Sequence, residues 1–181
     1  WLFIYPEAGI ATVNEMVAPT NRSVTIRITS DPMMTAIFIP SLVTQIYAMT
    51  GMETRANFMA PQPAVLDGAN AMYSGPEFYK QRFKVRLVPE AQYESWRAAV
   101  AGGQPAAAGA KTEPMLDFAR YLKLAERTAG YPITGFSAVE PDLFQKIVRQ
   151  YSPEYRLNPL PEAPTRTSSE PGAQPAQHKG H

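Results

Sequence analysis

Cysteine is missing from all 181 residues, and histidine occurs only twice, at His178 and His181, within the last four positions. The first absence excludes disulfides and thiolate metal sites together. The second leaves residues 1–177 without the side chain that most often serves as a base or a metal ligand, so a serine nucleophile such as Ser74 has no imidazole to activate it. An excess of one charge is lacking as well. Seventeen Lys and Arg stand against 16 Asp and Glu, a formal charge of +1, and no basic footprint for nucleic acid results. Apolar runs of about 18 residues, the length a membrane-crossing helix needs, do not occur. The carboxylates, among them Glu15, Asp31, Glu53, Asp67 and Glu77, are scattered, and nothing in the sequence pairs them for acid–base work.

What is present is an apolar chain, 45% hydrophobic, punctuated by 18 prolines and 11 glycines, enough for one medium core with an appendage. Residues 24–29 alternate, with Val24, Ile26 and Ile28 on one face and Thr25, Arg27 and Thr29 on the other, which predicts a half-buried strand. Residues 36–39 form a short apolar run stopped by Pro40, which cannot donate to a sheet ladder. Further strands are expected at 12–17, 44–48, 52–59 and 81–88; in the last, Phe83, Val85 and Leu87 oppose Arg82, Lys84 and Arg86. Turn-prone segments separate them: 19–21, 30–32, Gly51, 61–63, Asp67-Gly68 and 74–76. Many short strands at this spacing suggest a β-sandwich or barrel. The opening Trp1-Leu2-Phe3-Ile4-Tyr5 is strand-like and carries no leader, the start expected of a piece of a longer protein.

Past Pro89 the period changes to three or four residues. A helix is expected from Glu90 to Ala101, carrying Tyr93, Trp96 and Val100 and stopped by Gly102-Gly103. An Ala/Gly/Pro linker follows to Lys111. A second helix is expected over 113–128, with Met115, Phe118, Leu122 and Ala125 on one stripe, and a third begins at Pro141-Asp142 with Leu143, Phe144, Ile147 and Val148. From Leu157 the chain is rich in Pro, Ser, Thr, Glu and Gln without apolar period, the composition of a disordered tail. The expected division is therefore 1–89, a β domain; 90–156, a helical aromatic-rich extension; and 157–181, the tail.

Four segments carry a resemblance: residues 31–42; Ile46-Tyr47-Ala48-Met49-Thr50-Gly51; Gly68 to Phe83; and Val85 to Pro89 leading to Trp96. Over about residues 1–150 the chain resembles subunit II of the haem-copper respiratory oxidases. The resemblance implies a mainly β, cupredoxin-like Greek-key sandwich with a C-terminal helical extension. It also implies two transmembrane helices upstream of Trp1. In the copper-bearing members a dinuclear centre uses two cysteines, two histidines, a glutamate and a methionine. Aligned on Pro40, Thr35 stands at the first histidine. Aligned on Gly68, Asn70 and Ser74 stand at the cysteines, Met72 at the glutamate, Phe78 at the second histidine and Gln81 at the methionine. None of these is a bridging thiolate or imidazole, the donors that suit copper.

Loss of that site is the mark of the cytochrome bo-type ubiquinol oxidase branch, which residues 1–7, 9–15, 38–40, 45–49 and Tyr73-Ser74-Gly75-Pro76 also resemble. The resemblance implies a non-catalytic subunit of an oxygen-reducing, proton-translocating ubiquinol oxidase in aerobic electron transport. No catalytic, cofactor-binding or metal residue is expected in this chain. Haem and copper are expected in the large partner, subunit I; the domain would cap it on the periplasmic side of the bacterial inner membrane, in contact with the other oxidase subunits. No nucleic-acid partner is expected. The alternative is a free-standing periplasmic β-sandwich that binds a small ligand.

Overall fold

Strand follows strand through the first half of the chain because turn residues interrupt each apolar alternation before a helix could close. The computed structural model describes residues 1–126 and 130–151; the expected tail, with His178 and His181, lies outside the described residues. Nine strands come first: β1 (Leu2–Tyr5), β2 (Ile10–Val13), β3 (Glu15–Pro19), β4 (Val24–Ile28), β5 (Thr35–Ile39), β6 (Val43–Ala48), β7 (Thr54–Phe58), β8 (Ala64–Asn70) and β9 (Arg82–Val88). Helix α1 (Glu90–Ala101), strand β10 (Lys111–Glu113), helix α2 (Phe118–Ala125), strand β11 (Thr134–Phe136) and helix α3 (Leu143–Arg149) follow.

Three sheets result. The largest has the order β3-β9-β8-β5-β6, β4 pairs with β7, and a third sheet runs β1-β2-β11-β10. The main core lies between the first two, with Met16, Ile28, Ile37, Ile39, Phe58, Phe83, Val85 and Leu87 buried together. In β9 the alternation is as the sequence predicts: Phe83, Val85 and Leu87 are buried, while Arg82 and Lys84 face water.

The third sheet takes β1 and β2 from before residue 89 and β10 and β11 from after it, so the sequence division at 89 is crossed in space by hydrogen-bonded strands. A second cluster, of Ala11, Val13, Leu116, Tyr121, Phe136, Leu143 and Ile147, fills the space between this sheet and helices α2 and α3.

Four local expectations are corrected. The single strand over 12–17 is two strands, because Asn14 adopts a left-handed φ of 59° and moves the chain from one sheet to another; its side-chain amide donates to Tyr131 O at 2.8 Å. Asp67-Gly68 is no turn but lies within β8, where Asp67 pairs across the strands with Lys84 at 2.6 Å. Helix 113–128 starts only at Phe118. Residues Lys111–Glu113 are held as a strand parallel to β11, and Asp117 caps the helix by accepting from Arg120 N at 2.7 Å. Its buried residue is Tyr121, while Met115 and Leu122 face solvent. The Ala/Gly/Pro linker is not free: Ala106 is buried against Ile10 and Val100, and its carbonyl accepts from Trp96 Nε1 and from an Arg86 guanidinium N–H, both at 2.9 Å.

Candidate functional site

At one pole of the sandwich, the beginning of β5, the end of β8 and the beginning of β9 converge: Ile37 is registered with Asn70, and Ala69 with Arg82. All six positions aligned with copper ligands gather near this pole, and three touch directly. Asn70 Nδ2 donates to Ser74 Oγ at 2.8 Å and to Gln81 Oε1 at 2.7 Å, and Ser74 Oγ donates to Gln81 Oε1 at 3.4 Å. Asn70 Oδ1 accepts from Ala36 N at 3.1 Å and Met72 N at 3.0 Å. Both donors and both acceptor lone pairs of the one amide are thereby used. Thr35 precedes Ala36 and is registered with Ala48. Phe78 opens a 3-10 turn (Phe78–Lys80) that delivers Gln81, and its ring meets Tyr73 edge-on at 5.2 Å.

The fit of copper can be judged from this donor set. Amide, hydroxyl and aromatic groups occupy the positions, Asn70, Ser74 and Gln81 bond to one another and Asn70 also to the backbone, and the single thioether, at Met72, cannot bridge two metals. The residues do not fit the group. Among the described residues, no three His, Cys, Asp or Glu side chains are placed to hold a metal ion. Asn70 ties this loop to the start of β5 and to Gln81.

Beneath the loop, Phe83 packs against Trp1 and Phe3 with ring centroids 5.3 and 5.0 Å away. Gly68 sits directly under this ring, where a Cβ would fall 2.1 Å from it. The glycine that anchors the sequence alignment is therefore required by packing.

Two carboxylates that look isolated in the sequence are engaged. Glu15 is buried and pairs with Arg86 at 2.7 Å, while its other carboxylate oxygen has no hydrogen-bond partner. Burial pushes the Glu15 carboxyl up, and the Arg86 hydrogen bond and charge offset part of that shift. Asp31 accepts from Tyr121 OH at 2.5 Å, from Gln150 Nε2 at 2.8 Å, and from Tyr151 OH. Burial, then the bond to Asp31, holds the Tyr121 phenol well above its ordinary range; Tyr151 is pushed up to about 12, chiefly by its bond to Asp31. An acid directly before the apolar run 16–18 was the available signal for Glu15. No signal within the sequence joins residue 31 to residues 121–151.

Residues 111–154 match the family described as COX Aromatic Rich Motif. The chain is 41% identical over 163 residues to cytochrome bo(3) ubiquinol oxidase subunit 2 of Pseudomonas putida, covering 90% of this chain and 49% of that protein. It is 38% identical over 152 residues to ubiquinol oxidase subunit 2 of Acetobacter aceti, covering 84% and 46%. The chain thus spans about half the length of the curated relatives it matches. In structure it is similar to the periplasmic domain of subunit II of cytochrome oxidase from Bradyrhizobium japonicum, with a TM-score of 0.51, 21% identity, and coverage of 55% of this chain and 83% of that one. That likeness establishes the mainly β, cupredoxin-like fold.

Proposed function

We propose that this chain, a homologue of ubiquinol oxidase subunit 2, is the water-exposed, copper-free domain of that subunit in a proton-translocating respiratory oxidase on the periplasmic face of a bacterial inner membrane. Haem, copper and quinol chemistry belong in this reading to the large partner subunit, and membrane helices precede Trp1. The domain caps the partner and supports assembly; it has no active site of its own.

The observation that carries the reading is the Asn70–Ser74–Gln81 cluster. It replaces the ligands of a copper relay with a self-satisfied hydrogen-bond network, and an oxidase fed by quinol within the membrane has no need of such a relay. The sequence alternative of a free-standing binding module is not favoured by these relatives. Detergent purification of the full-length protein through an affinity tag on this subunit tests the proposal. A haem-containing large subunit with quinol-dependent oxygen consumption should co-purify; a subunit that purifies alone and without haem overturns it.

A further inference from the structure

Asp31 lies in the loop between β4 and β5, yet its hydrogen-bond donors come from the far end of the chain: Tyr121 on α2, Gln150 at the C-cap of α3, and Tyr151 beyond it. A second tie runs nearby, where the Arg27 guanidinium of β4 stacks over the Phe144 ring of α3 at 4.9 Å. The loop bearing Asp31 is itself bonded to residues 49–52. Ser30 bridges to Thr50, Thr50 Oγ1 donates to Pro32 O at 2.8 Å, and Ser30 Oγ donates to Ala48 O at 2.9 Å. Gly51, with φ +73°, leaves the space that the Tyr151 Cβ fills, 3.1 Å from where its own Cβ would stand.

We propose that the aromatic-rich region is a strap, fastened to the sandwich at Asp31, whose closure orders the loops 30–34 and 49–52. The physical case is the arrangement of the contacts. The strap's strand β11 is anchored on β2 and carries β10 at its other edge. Helices α2 and α3 pack on this sheet through Tyr121, Leu143 and Ile147, so the polar tie of the strap to the loop between β4 and β5 is concentrated at Asp31. There, one carboxylate gathers three donors from the strap, and no other side chain in the loop duplicates its role in the contacts above. Because Thr35 and Ala36 follow this loop directly, and Ala36 N donates to Asn70, the strap also sets the edge of the candidate site. Elements that open together exchange their amide protons with one shared opening free energy, separate from global unfolding.

Hydrogen exchange on the full chain, followed by NMR or mass spectrometry in rising denaturant, tests this. In the unmodified protein, amides of α2, α3 and residues 49–52 should converge on one opening step below that of β3, β8 and β9. The pair Tyr121→Phe with Tyr151→Phe, which removes two donors and keeps both rings, should speed exchange in all three segments by roughly tenfold or more and leave the sandwich strands unchanged. Arg27→Ala, which removes the second tie, should likewise speed exchange in all three segments together. Separate opening steps for residues 49–52 and the helices in the unmodified protein overturn the proposal. So does a double variant in which residues 49–52 exchange at their original rate, or in which every strand accelerates equally.

Discussion

Gly68 and Phe83 are locked face to face across β8 and β9, with no room at Gly68 for even one methyl group. Because Phe83 is itself pinned by Trp1 and Phe3, the ring has no direction in which to yield. Gly68→Ala should therefore destabilise the fold by about 3 kcal/mol or more, beyond the usual cost of overpacking. Combining it with Phe83→Leu should recover part of that loss, a non-additivity that a double-mutant cycle in urea would measure. Equal destabilisation with and without the Phe83 change would show that the clash is not the cause.

Asn70 makes a second prediction through its acceptor side. Asn70→Ala removes the only side-chain oxygen shown bonding both Ala36 N and Met72 N, and it takes the amide donor from Ser74 Oγ and Gln81 Oε1, leaving them the 3.4 Å bond to each other. Each buried donor left without a partner costs about 1–3 kcal/mol, so a loss of roughly 2–4 kcal/mol is expected in urea unfolding. Asn70→Asp keeps the acceptor oxygens and loses the two donors. It should lie between wild type and Asn70→Ala if the backbone contacts dominate; a cost above that of alanine would place the weight on Ser74 and Gln81 instead.

The buried pair Glu15–Arg86 gives stability a pH dependence of defined sign. The folded-state pKa of Glu15 is raised above its ordinary value of 4.5, so the folded protein holds this proton more tightly than the unfolded chain. Its contribution is fully favourable below 4.5 and is lost as pH rises through the raised value. Glu15→Gln should flatten that part of the stability–pH profile. Arg86→Met, measured above the raised value, should cost roughly 3–5 kcal/mol by leaving a buried carboxylate unpaired; the Ala106 carbonyl keeps its Trp96 donor. A profile unaltered by Glu15→Gln would remove Glu15 as its source.

The strands with alternating burial were legible because period-two patterning follows directly from a half-buried sheet, and helix α1 because Gly102-Gly103 marks its end. The break at Asn14 was not, since a left-handed residue between two apolar runs leaves their alternation nearly intact. Strand β8 was hidden by Asp67-Gly68, a turn signature whose glycine answers instead to the Phe83 ring. At the candidate site, the alignment on Gly68 singled out residues that do meet in space, Asn70, Ser74 and Gln81. The Asp31 tie was invisible because its donors lie 90 or more residues away, a separation over which no periodicity speaks.

The replaced ligand positions yield the last prediction, which tests the alignment and the fold together. Asn70 and Ser74 bring their side-chain tips to 2.8 Å, close enough for two sulfurs at those positions to share metal ions. The five-fold variant Thr35→His, Asn70→Cys, Ser74→Cys, Phe78→His and Gln81→Met supplies two thiolates, two imidazoles and an axial thioether, the soft donors copper prefers. Without metal it should be less stable than the parent, because the Asn70 hydrogen bonds and the Phe78–Tyr73 ring contact are gone. Copper should then raise its melting temperature, since a ligand that binds only the folded state stabilises by mass action. Anaerobic titration should develop an intense visible thiolate-to-copper band in the variant and none in the parent, which has no cysteine. A variant that melts cooperatively yet stays colourless would mean that these residues do not occupy the geometry of a metal loop, and a coloured parent would refute the reading of the site as copper-free.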